Sequence, residues 1–575
     1  MKGKFLRAAI ASGCLLGAST AGAALSGGVP EAIDPGRLGT QQVAPTPATG
    51  TIDIPRDIAR AAKEKSPEME NVIFILDSIT LRGAKLHQQA AWQRLQELAR
   101  PYFGKPTSLA DIQRIAESLE DMYRSSGFML TQVFLSPQQL DKEAANIVLE
   151  VIEGYITSVS LHGGTIASQQ KVNDFAAKML AEKPVTAASL EEFILLSSTI
   201  PGVQIQTVLS ASEREAGGAD LDVTLVQKRF SGYIGLNNRS GSYVGPYQLQ
   251  LGATAYSLLG ADSLGLNGAI PYVGGGRMHY GGVSYTNLLN RYGTFLNLNY
   301  NHTTSRPGGS LSNLNLRGLS DYFEIGCEHP FIKTKIKHLD LVAGYYARNS
   351  NNASIAFGTN LYDDRIRAAY VGLNFDRTVR FGGFQRGEVK LVKHVRSFQS
   401  SKRGAPLLSR AHASASFSKM TGNLSHIQSV GDQFSCELSA EGQYGFSALL
   451  ASEQYGYGGS RFGGGYDSSE ITGDRGLSLR IEPRWDGKPE YVGLRWYQLF
   501  AYMDIGKVWN IVPEDPALAT SVVPIQTASS WGGGTRLQFP GSMTANFEIG
   551  VPINHKVGSR NNKMPRFFFN VSKLF

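Results

Sequence analysis

The stretch Thr294-Phe295-Leu296-Asn297-Leu298-Asn299-Tyr300-Asn301-His302 sets Leu296, Leu298 and Tyr300 against the alternating amides Asn297, Asn299 and Asn301. A period of two places the apolar side chains on one face of a strand and the hydrogen-bonding ones on the other. Similar runs are Tyr247 to Ser257, Tyr322 to Glu328, Leu341 to Tyr346, Ala369 to Asp376 and Phe434 to Gly442. Others follow at Leu477 to Pro483, Leu499 to Gly506, Thr544 to Val551 and Phe567 to Phe575. Gly, Asn, Ser and Pro separate them, and helical periodicity ends at Phe230. Such a set fits a soluble sandwich or a membrane barrel. Residues 230–575 make 346 residues, too many for one sandwich, and strands rich in aromatics with polar alternates suit lipid outside and water inside. The chain ends on Phe575, with Phe567, Phe569 and Val571 on its parity and Lys573 interrupting it. The expected fold class is mainly β, with a C-terminal transmembrane antiparallel β-barrel over 230–575.

Upstream the pattern differs. Lys2, Lys4 and Arg7 precede the apolar run Ala8 to Ala18, and Ala21-Gly22-Ala23 offers the small residues that signal peptidase reads, so 1–23 is expected to be a signal peptide. Its removal takes three positive charges and no negative one from a formal +8, leaving +5, too modest to imply nucleic acid. Cys14 follows too short an apolar run for a lipoprotein site, and export leaves Cys327 and Cys436 as outward-facing packing residues rather than a disulfide framework. A hydrophobic share of 42% excludes general disorder, and no later run approaches the ~18 apolar residues of a spanning helix.

Residues 24–71 carry Pro30, Pro35, Pro45, Pro47, Pro55 and Pro67 and read as a tether, with a short helical stretch around Ile58 to Lys65. From 72 to 154 the order is strand, helix, helix, strand, strand. Ser108 and Asp111 form a capping box before Leu109, Ile112, Ile115, Leu119 and Met122, and Gly127 closes that helix. The same order returns over 155–229, where Ser189 and Glu192 are read as capping the helix of Leu190, Phe193, Ile194 and Leu196. Two copies of one small α+β module thus precede the barrel.

Modules of this order before a Gly-rich barrel resemble the transporters of two-partner secretion, the haemolysin and filamentous-haemagglutinin secretion/activation proteins, over about residues 72–575. Ser136-Pro137-Gln138-Gln139-Leu140 resembles that family's proline-glutamine segment, Val151-Ile152-Glu153-Gly154-Tyr155-Ile156 its glutamate-glycine segment, and Ile200-Pro201-Gly202-Val203 its proline-glycine turn. The modules resemble POTRA domains, which are periplasmic. In the barrel, Glu453-Gln454-Tyr455-Gly456-Tyr457-Gly458-Gly459, then Arg461-Phe462-Gly463-Gly464-Gly465-Tyr466-Asp467, then Gly473-Asp474-Arg475-Gly476 resemble the long loop that folds back into the lumen. Tyr502-Met503-Asp504-Ile505-Gly506 resembles the Asp-Gly motif of a lumen-facing strand.

The resemblance implies sixteen strands, and 346 residues shared among them leave about 22 each, room for ~9–11-residue spans and their loops. Twelve or eighteen strands also fit. It further implies a loop arginine paired with Asp504, but Gly464 stands at the aligned position. Arg461 could supply that guanidinium. Equally, Arg461 is one lumen arginine among many, and Gly463, Gly464 and Gly465 let the loop lie on the wall by its backbone. The segment around Arg56 to Lys65 is either the lumen plug helix of relatives or unstructured tether.

No H-E-x-x-H, G-x-x-x-x-G-K-[ST] or G-x-S-x-G occurs. His162, His329 and His394 are scattered, and Asp467, Glu470 and Asp474 lack the spacing of a calcium loop. No enzyme activity, cofactor, metal or nucleic-acid partner is expected. The resemblance implies an outer-membrane pore with periplasmic modules, which takes an unfolded exoprotein cargo and threads it outward without ATP. Its partners would be that cargo, outer-membrane lipids and the barrel-assembly machinery that inserts it. The basic residues Lys171, Lys178, Lys183, Lys228 and Arg229 steer cargo or merely solvate helix faces. The runner-up is a barrel-assembly insertase, which usually carries more than two modules; a diffusion porin would leave the modules without a purpose.

Overall fold

A computed structural model describes residues 34–38 and 72–575 apart from 87, 216, 274–276, 403, 490–492 and 521. The expected signal peptide, Cys14 and the stretch around Arg56 to Lys65 lie outside the described residues. The described chain forms two compact units, one of residues 72–227 and one of 34–38 with 228–575. Among the described residues no helix is long and apolar enough to cross a membrane.

The first unit begins with β1 (Ile73–Arg82), α1 (Gln88–Ala99), β2 (Pro106–Ser108), α2 (Leu109–Ser125), β3 (Gln132–Leu135) and β4 (Ala145–Ile152). The sheet order is β2-β1-β4-β3. Alternation along β1 turns Phe74 and Leu76 inward, where they meet Leu95, Ile112, Leu119 and Leu149. Sequence periodicity missed β2, whose three residues are too few to show a period.

Two segments quoted for the resemblance have local work in this fold. Gln138 Nε2 donates to Val148 O at 3.2 Å while its Oε1 accepts from Val148 N at 3.0 Å, so one amide side chain prolongs the ladder on β4. Glu153 Oε1 accepts from the backbone N–H of Lys85 and Leu86 at 2.8 and 2.7 Å. At Gly154 a Cβ would stand 2.4 Å from Leu130 O, which leaves no space for a side chain.

The second copy is β5 (Tyr155–Gly163), α3 (Ile166–Leu180), α4 (Ala187–Ser197), β6 (Val203–Ala211) and β7 (Gly218–Gln227), with sheet order β5-β7-β6. Its parallel pair slips between Ile156 and Ser158 just as β1–β4 slips between Leu76 and Ser78, the same irregularity in both copies. The cap of α4 needs correction. Thr186, not Ser189, is its N-cap, and Ser189 N donates back to Thr186 Oγ1 at 3.2 Å. Both residues have capping side chains, and the turn that Thr186 opens is already helical.

The capping box on α2 closes as its sequence indicates. Asp111 N donates to Ser108 Oγ at 3.2 Å, and Asp111 Oδ2 accepts from Ser108 N at 2.9 Å. Hydrogen bonds from Ser108's side chain and backbone hold the Asp111 carboxyl below its ordinary pKa. A depressed carboxylate contributes stability that is present above its unfolded pKa near ~3.9 and lost as pH falls through the folded value. Asp111→Asn is therefore expected to cost about 1 kcal/mol at pH 7, with the gap to wild type closing below about pH 4. The urea midpoint of the helical circular dichroism at the two pH values checks this; an equal gap at both would remove the ionised cap.

The second unit is a closed antiparallel barrel of sixteen strands, all but one of whose neighbouring pairs are consecutive in the sheet as they are in the chain. They are β8 (Phe230–Asn237), β9 (Tyr247–Tyr256), β10 (Asp262–Val273), β11 (Arg277–Leu288), β12 (Phe295–Arg306), β13 (Leu316–Lys333), β14 (Lys337–Ser354), β15 (Thr359–Val379), β16 (Gly383–His394), β17 (Ser418–Val430) and β18 (Phe434–Gly445). Within the loop that follows, β19 (Tyr455–Tyr457) pairs with β20 (Ile471–Gly473). The wall resumes with β21 (Arg475–Gly487), β22 (Trp496–Trp509), β23 (Ile525–Phe539), β24 (Met543–Pro552) and β25 (Arg566–Leu574), and β25 pairs with β8 to close it.

The opening stretch lies on β12, with Leu296, Leu298 and Tyr300 opposite Cys327, Ile325 and Phe323. That row faces outward. On the inner face, Asn299 Nδ2 donates to Glu324 at 3.4 Å and Tyr370 OH donates to the same carboxylate at 2.7 Å. Leu477, Leu479, Ile481, Met503, Ile505 and Trp531 continue the exposed apolar surface on β21 to β23. Cys327 and Cys436 are both free thiols. At the terminus, Phe575 N donates to Gly232 O at 2.8 Å, and the Lys573 ammonium bends to 5.1 Å from the Phe575 ring. This lets a cation occupy an apolar row by snorkelling.

Connections differ at the two ends. Where β8 starts they are tight, as at 334–336, 380–382, 431–433 and 540–542; at the other end they are long, as at 395–417, 446–474, 510–524 and 553–565.

Candidate functional site in the barrel lumen

The connection 446–474 does not extend away from the wall but is buried along most of its length. Its hairpin β19–β20 is set by two aromatic side chains that need glycine opposite. A Cβ at Gly476 would stand 2.0 Å from the Tyr455 ring, and one at Gly506 would stand 2.1 Å from the Tyr457 ring. Tyr455, Tyr457, Phe462, Tyr466, Ile471 and Val508 form one buried cluster around these seats. Beyond the hairpin the chain turns at Gly458 (φ 128°) and Gly463 (φ 76°), left-handed positions that favour glycine.

Asp504 receives the turn. Its Oδ1 accepts from Gly463 N at 3.0 Å, Tyr457 OH at 3.0 Å and Ser530 OH at 2.7 Å, and Gly464 N lies 3.5 Å from its Oδ2. Gly465 N donates to Ser530 Oγ at 3.3 Å, and a Cβ there would stand 2.8 Å from Pro552 N. The loop thus lies on β22 and β23 by its main chain. Tyr466 OH donates to Ser529 O at 2.8 Å, and Asp467 pairs with Arg566 at 2.7 Å.

The pairing of Arg461 with Asp504 is not made. Arg461 turns instead to Glu441 on β18 at 2.8 Å. The guanidinium near Asp504 belongs to the wall: Arg480 of β21 lies 3.6 Å from Asp504 Oδ2 and 3.9 Å from the centre of the Tyr502 ring, and donates to the carbonyls of Arg461 and Ser460 at 2.6 and 3.1 Å. At Gly464 a Cβ would meet Tyr502 OH at 2.2 Å, so the wall tyrosine already fills the space an arginine side chain would need. Loop and wall have exchanged the donor.

Sequence reasoning missed further ties. Glu453 accepts from Arg348 at 3.0 Å, Lys419 at 2.8 Å and Tyr346 OH at 2.8 Å, all four side chains being buried. Asp474 pairs with Arg410 at 2.5 Å and accepts from the backbone N–H of Leu449 and Ile511 at 2.8 Å. Arg348 and Lys419 lie on inward parities of β14 and β17, a signal that parity could have flagged had the run at Leu341 to Tyr346 been extended and a strand been read at 418–430.

Of the segment 24–71 read as a tether, the structure describes residues 34–38. Asp34 and a helical turn at Pro35–Leu38 belong to the barrel unit. Arg37 Nη2 donates to Gln454 O at 2.9 Å, Asp34 Oδ2 accepts from Tyr362 OH at 2.9 Å, and Pro35 closes on Gly318, where a Cβ would stand 3.0 Å from its ring.

Since Tyr457 fills the place of a Cβ at position 506, Gly506→Val is expected to loosen the loop by about 1–3 kcal/mol, the cost of overpacking, with partial recovery on adding Tyr457→Ala. Single-channel conductance in planar bilayers reads this; additive effects of the two changes would show that ring and glycine do not share the seat.

Comparison with known proteins follows the same lines. The family model described as haemolysin secretion/activation protein ShlB/FhaC/HecB matches residues 217–527, and that of the POTRA domain, ShlB-type, matches residues 74–154. The heme/hemopexin transporter protein HuxB of Haemophilus influenzae (strain 86-028NP) is 22% identical over 492 residues, 85% of each chain. Among solved structures, CdiB from Escherichia coli superposes with a TM-score of 0.66 at 18% identity, covering 90% of this chain and 93% of its own. CdiB from Acinetobacter baumannii gives 0.59 at 16% identity, covering 93% and 94%.

Proposed function

The chain belongs to the haemolysin secretion/activation family ShlB/FhaC/HecB, and from that premise we propose that it is an outer-membrane pore which recognises one unfolded exoprotein in the periplasm through its two modules and passes it to the cell surface without ATP. The observation that carries this reading is a sixteen-strand barrel whose lumen holds its own loop, fixed by buried ion pairs, together with Asp34 to Leu38. A wall so furnished is a gated conduit rather than an open diffusion pore. Cargo, once extended, would be drawn outward by its own folding on the far side.

Cargo recognition rests on sheet edges, where strand addition supplies main-chain bonds and side pockets supply selectivity. In the first module the edge strand β3 has four residues and Gln138 already occupies Val148 of β4. The nine-residue edge strand β6 of the second module, with Val208 60% exposed, is the better receptor. Of the basic residues considered for steering, Lys178 is paired with Glu192 at 2.5 Å and the Lys183 ammonium sits 4.1 Å from the centre of the Tyr155 ring, so these two serve local packing. Insertion of the chain itself would depend on the barrel-assembly machinery.

The test is release. A candidate exoprotein encoded beside this chain is expressed with and without it in an outer-membrane-competent host, and folded exoprotein is expected in the medium only when the barrel is present. No release, with loss of other outer-membrane barrels on depletion, would move the assignment to an insertase.

A further inference from the structure

At the end of the barrel bearing the long loops, the ladder between β8 and β25 stops early. Its last pair is Asn237 with Asn570, although β25 starts four residues sooner at Arg566. Asn238 takes the place of a strand there. Its Nδ2 donates to Phe567 O at 2.9 Å, its Oδ1 accepts from Phe569 N at 2.7 Å, and its own N–H donates to Phe569 O at 3.3 Å. Beside this seam lies a cavity of about 380 Å³, lined among others by Pro246, Tyr247, Arg560, Pro565, Phe567 and Phe569. Tyr247, Phe567 and Phe569 stand on the outward parity of their strands, and the rings of Tyr247 and Phe569 are 6.3 Å apart.

An added peptide strand is a poor occupant. The two prolines have no N–H to give, and Asn238 already engages Phe567 O and both backbone groups of Phe569. The chemistry at the mouth favours a lipid. The connection 553–565 carries Lys556, Arg560 and Lys563, all exposed, with no Asp or Glu, and Met564 is 67% exposed beside them. Aromatic walls facing hydrocarbon below cations at the interface select an acyl chain with an anionic head.

We propose that this seam cavity binds a phosphorylated glycolipid of the outer leaflet, an acyl chain against Tyr247, Phe567 and Phe569 and a phosphate at Arg560 and Lys563. The leaflet rests on the proposed function, which puts the modules in the periplasm and hence the long loops outside. A lipid held here would cover the part of β25 that Asn238, rather than a full strand, pairs.

Native mass spectrometry of the full-length protein tests the site, with lipid A, dephosphorylated lipid A and phosphatidylglycerol offered at equal concentration. Wild type is expected to retain lipid A at least about tenfold better than the other two, R560E/K563E to lose that preference, and Phe567→Ser to weaken lipid A and its dephosphorylated form alike. Equal retention by wild type and R560E/K563E, or phosphatidylglycerol held as well as lipid A, would overturn it. Heat-modifiable migration confirms that each variant is folded. Orientation is read separately by a membrane-impermeant maleimide on intact cells carrying Met564→Cys with Cys327→Ser and Cys436→Ser. No labelling overturns the outer-leaflet assignment together with the pore's orientation; labelling without lipid A preference overturns the site alone.

Discussion

Arg480→Ala is expected to lower exoprotein release by about a hundredfold, while Arg461→Ala stays within about threefold of wild type. The difference follows from what each guanidinium touches. The Arg480 side chain is 10% exposed and serves two loop carbonyls, the Tyr502 ring and the buried Asp504. Its removal strips charge-assisted bonds from the carbonyls of Arg461 and Ser460 and leaves the buried Asp504 without its nearby guanidinium, a loss of about 3 kcal/mol, which is about a hundredfold in the equilibrium between seated and unseated loop. Arg461 is a quarter exposed and bonds one carboxylate on the neighbouring wall, so its loss is closer to that of a surface pair, about 0.6 kcal/mol or less. Release into the medium is measured beside the amount of heat-modifiable barrel, which neither change should reduce. Equal losses for the two variants would contradict the assignment of the donor to β21. Asp504→Ala, which removes the acceptor of Gly463, Tyr457 and Ser530, should resemble Arg480→Ala, and the double variant should be little worse than either.

Deleting residues 72–226 is expected to abolish release altogether while the remaining chain still inserts. The physical ground is that the deleted modules carry their own core and their own sheets, whereas β8 to β25 close on themselves through the ladder of Tyr233 to Asn237 with Asn570 to Leu574. Pull-down of unfolded exoprotein by the full chain and by the truncated chain, each in detergent, separates recognition from conduction. Retained binding by the truncated chain would take the receptor role away from the modules.

How much of this was legible beforehand depends on whether a physical constraint acts residue by residue. The capping box of Ser108 and Asp111 and the helix it opens are local, and periodicity located them. The outward row of β12 was legible because lipid on one side and water on the other impose alternation. Strands outrun that signal. Alternation marks Ala369 to Asp376, yet β15 runs from Thr359 to Val379. Beyond the apolar layer both faces meet polar surroundings, so the period of two disappears while the ladder goes on. Asp504 and Gly506 were singled out from the resemblance, and the structure sets them against the loop, but their partners are fixed by three-dimensional closure. Nothing in the chain order brings Arg480 over the Ser460 carbonyl, or Glu453 between Arg348 and Lys419. The buried turn at Pro35–Leu38 was hidden for a different reason: a proline-rich composition is the same whether a segment spans open solvent or is pinned by two side-chain bonds.

The fit of Tyr455 and Tyr457 into Gly476 and Gly506 limits how this protein can be recombined. The knobs are on the loop and the holes are on strands that come later in the chain, so neither half means anything without the other. A chimera that imports 446–474 from a relative while keeping β21 and β22, or the reverse, would bring two bulky groups to one place or leave two hollows with nothing to fill them. Loop and wall are therefore a single heritable unit, and functional hybrids are expected only when the crossover points fall outside both.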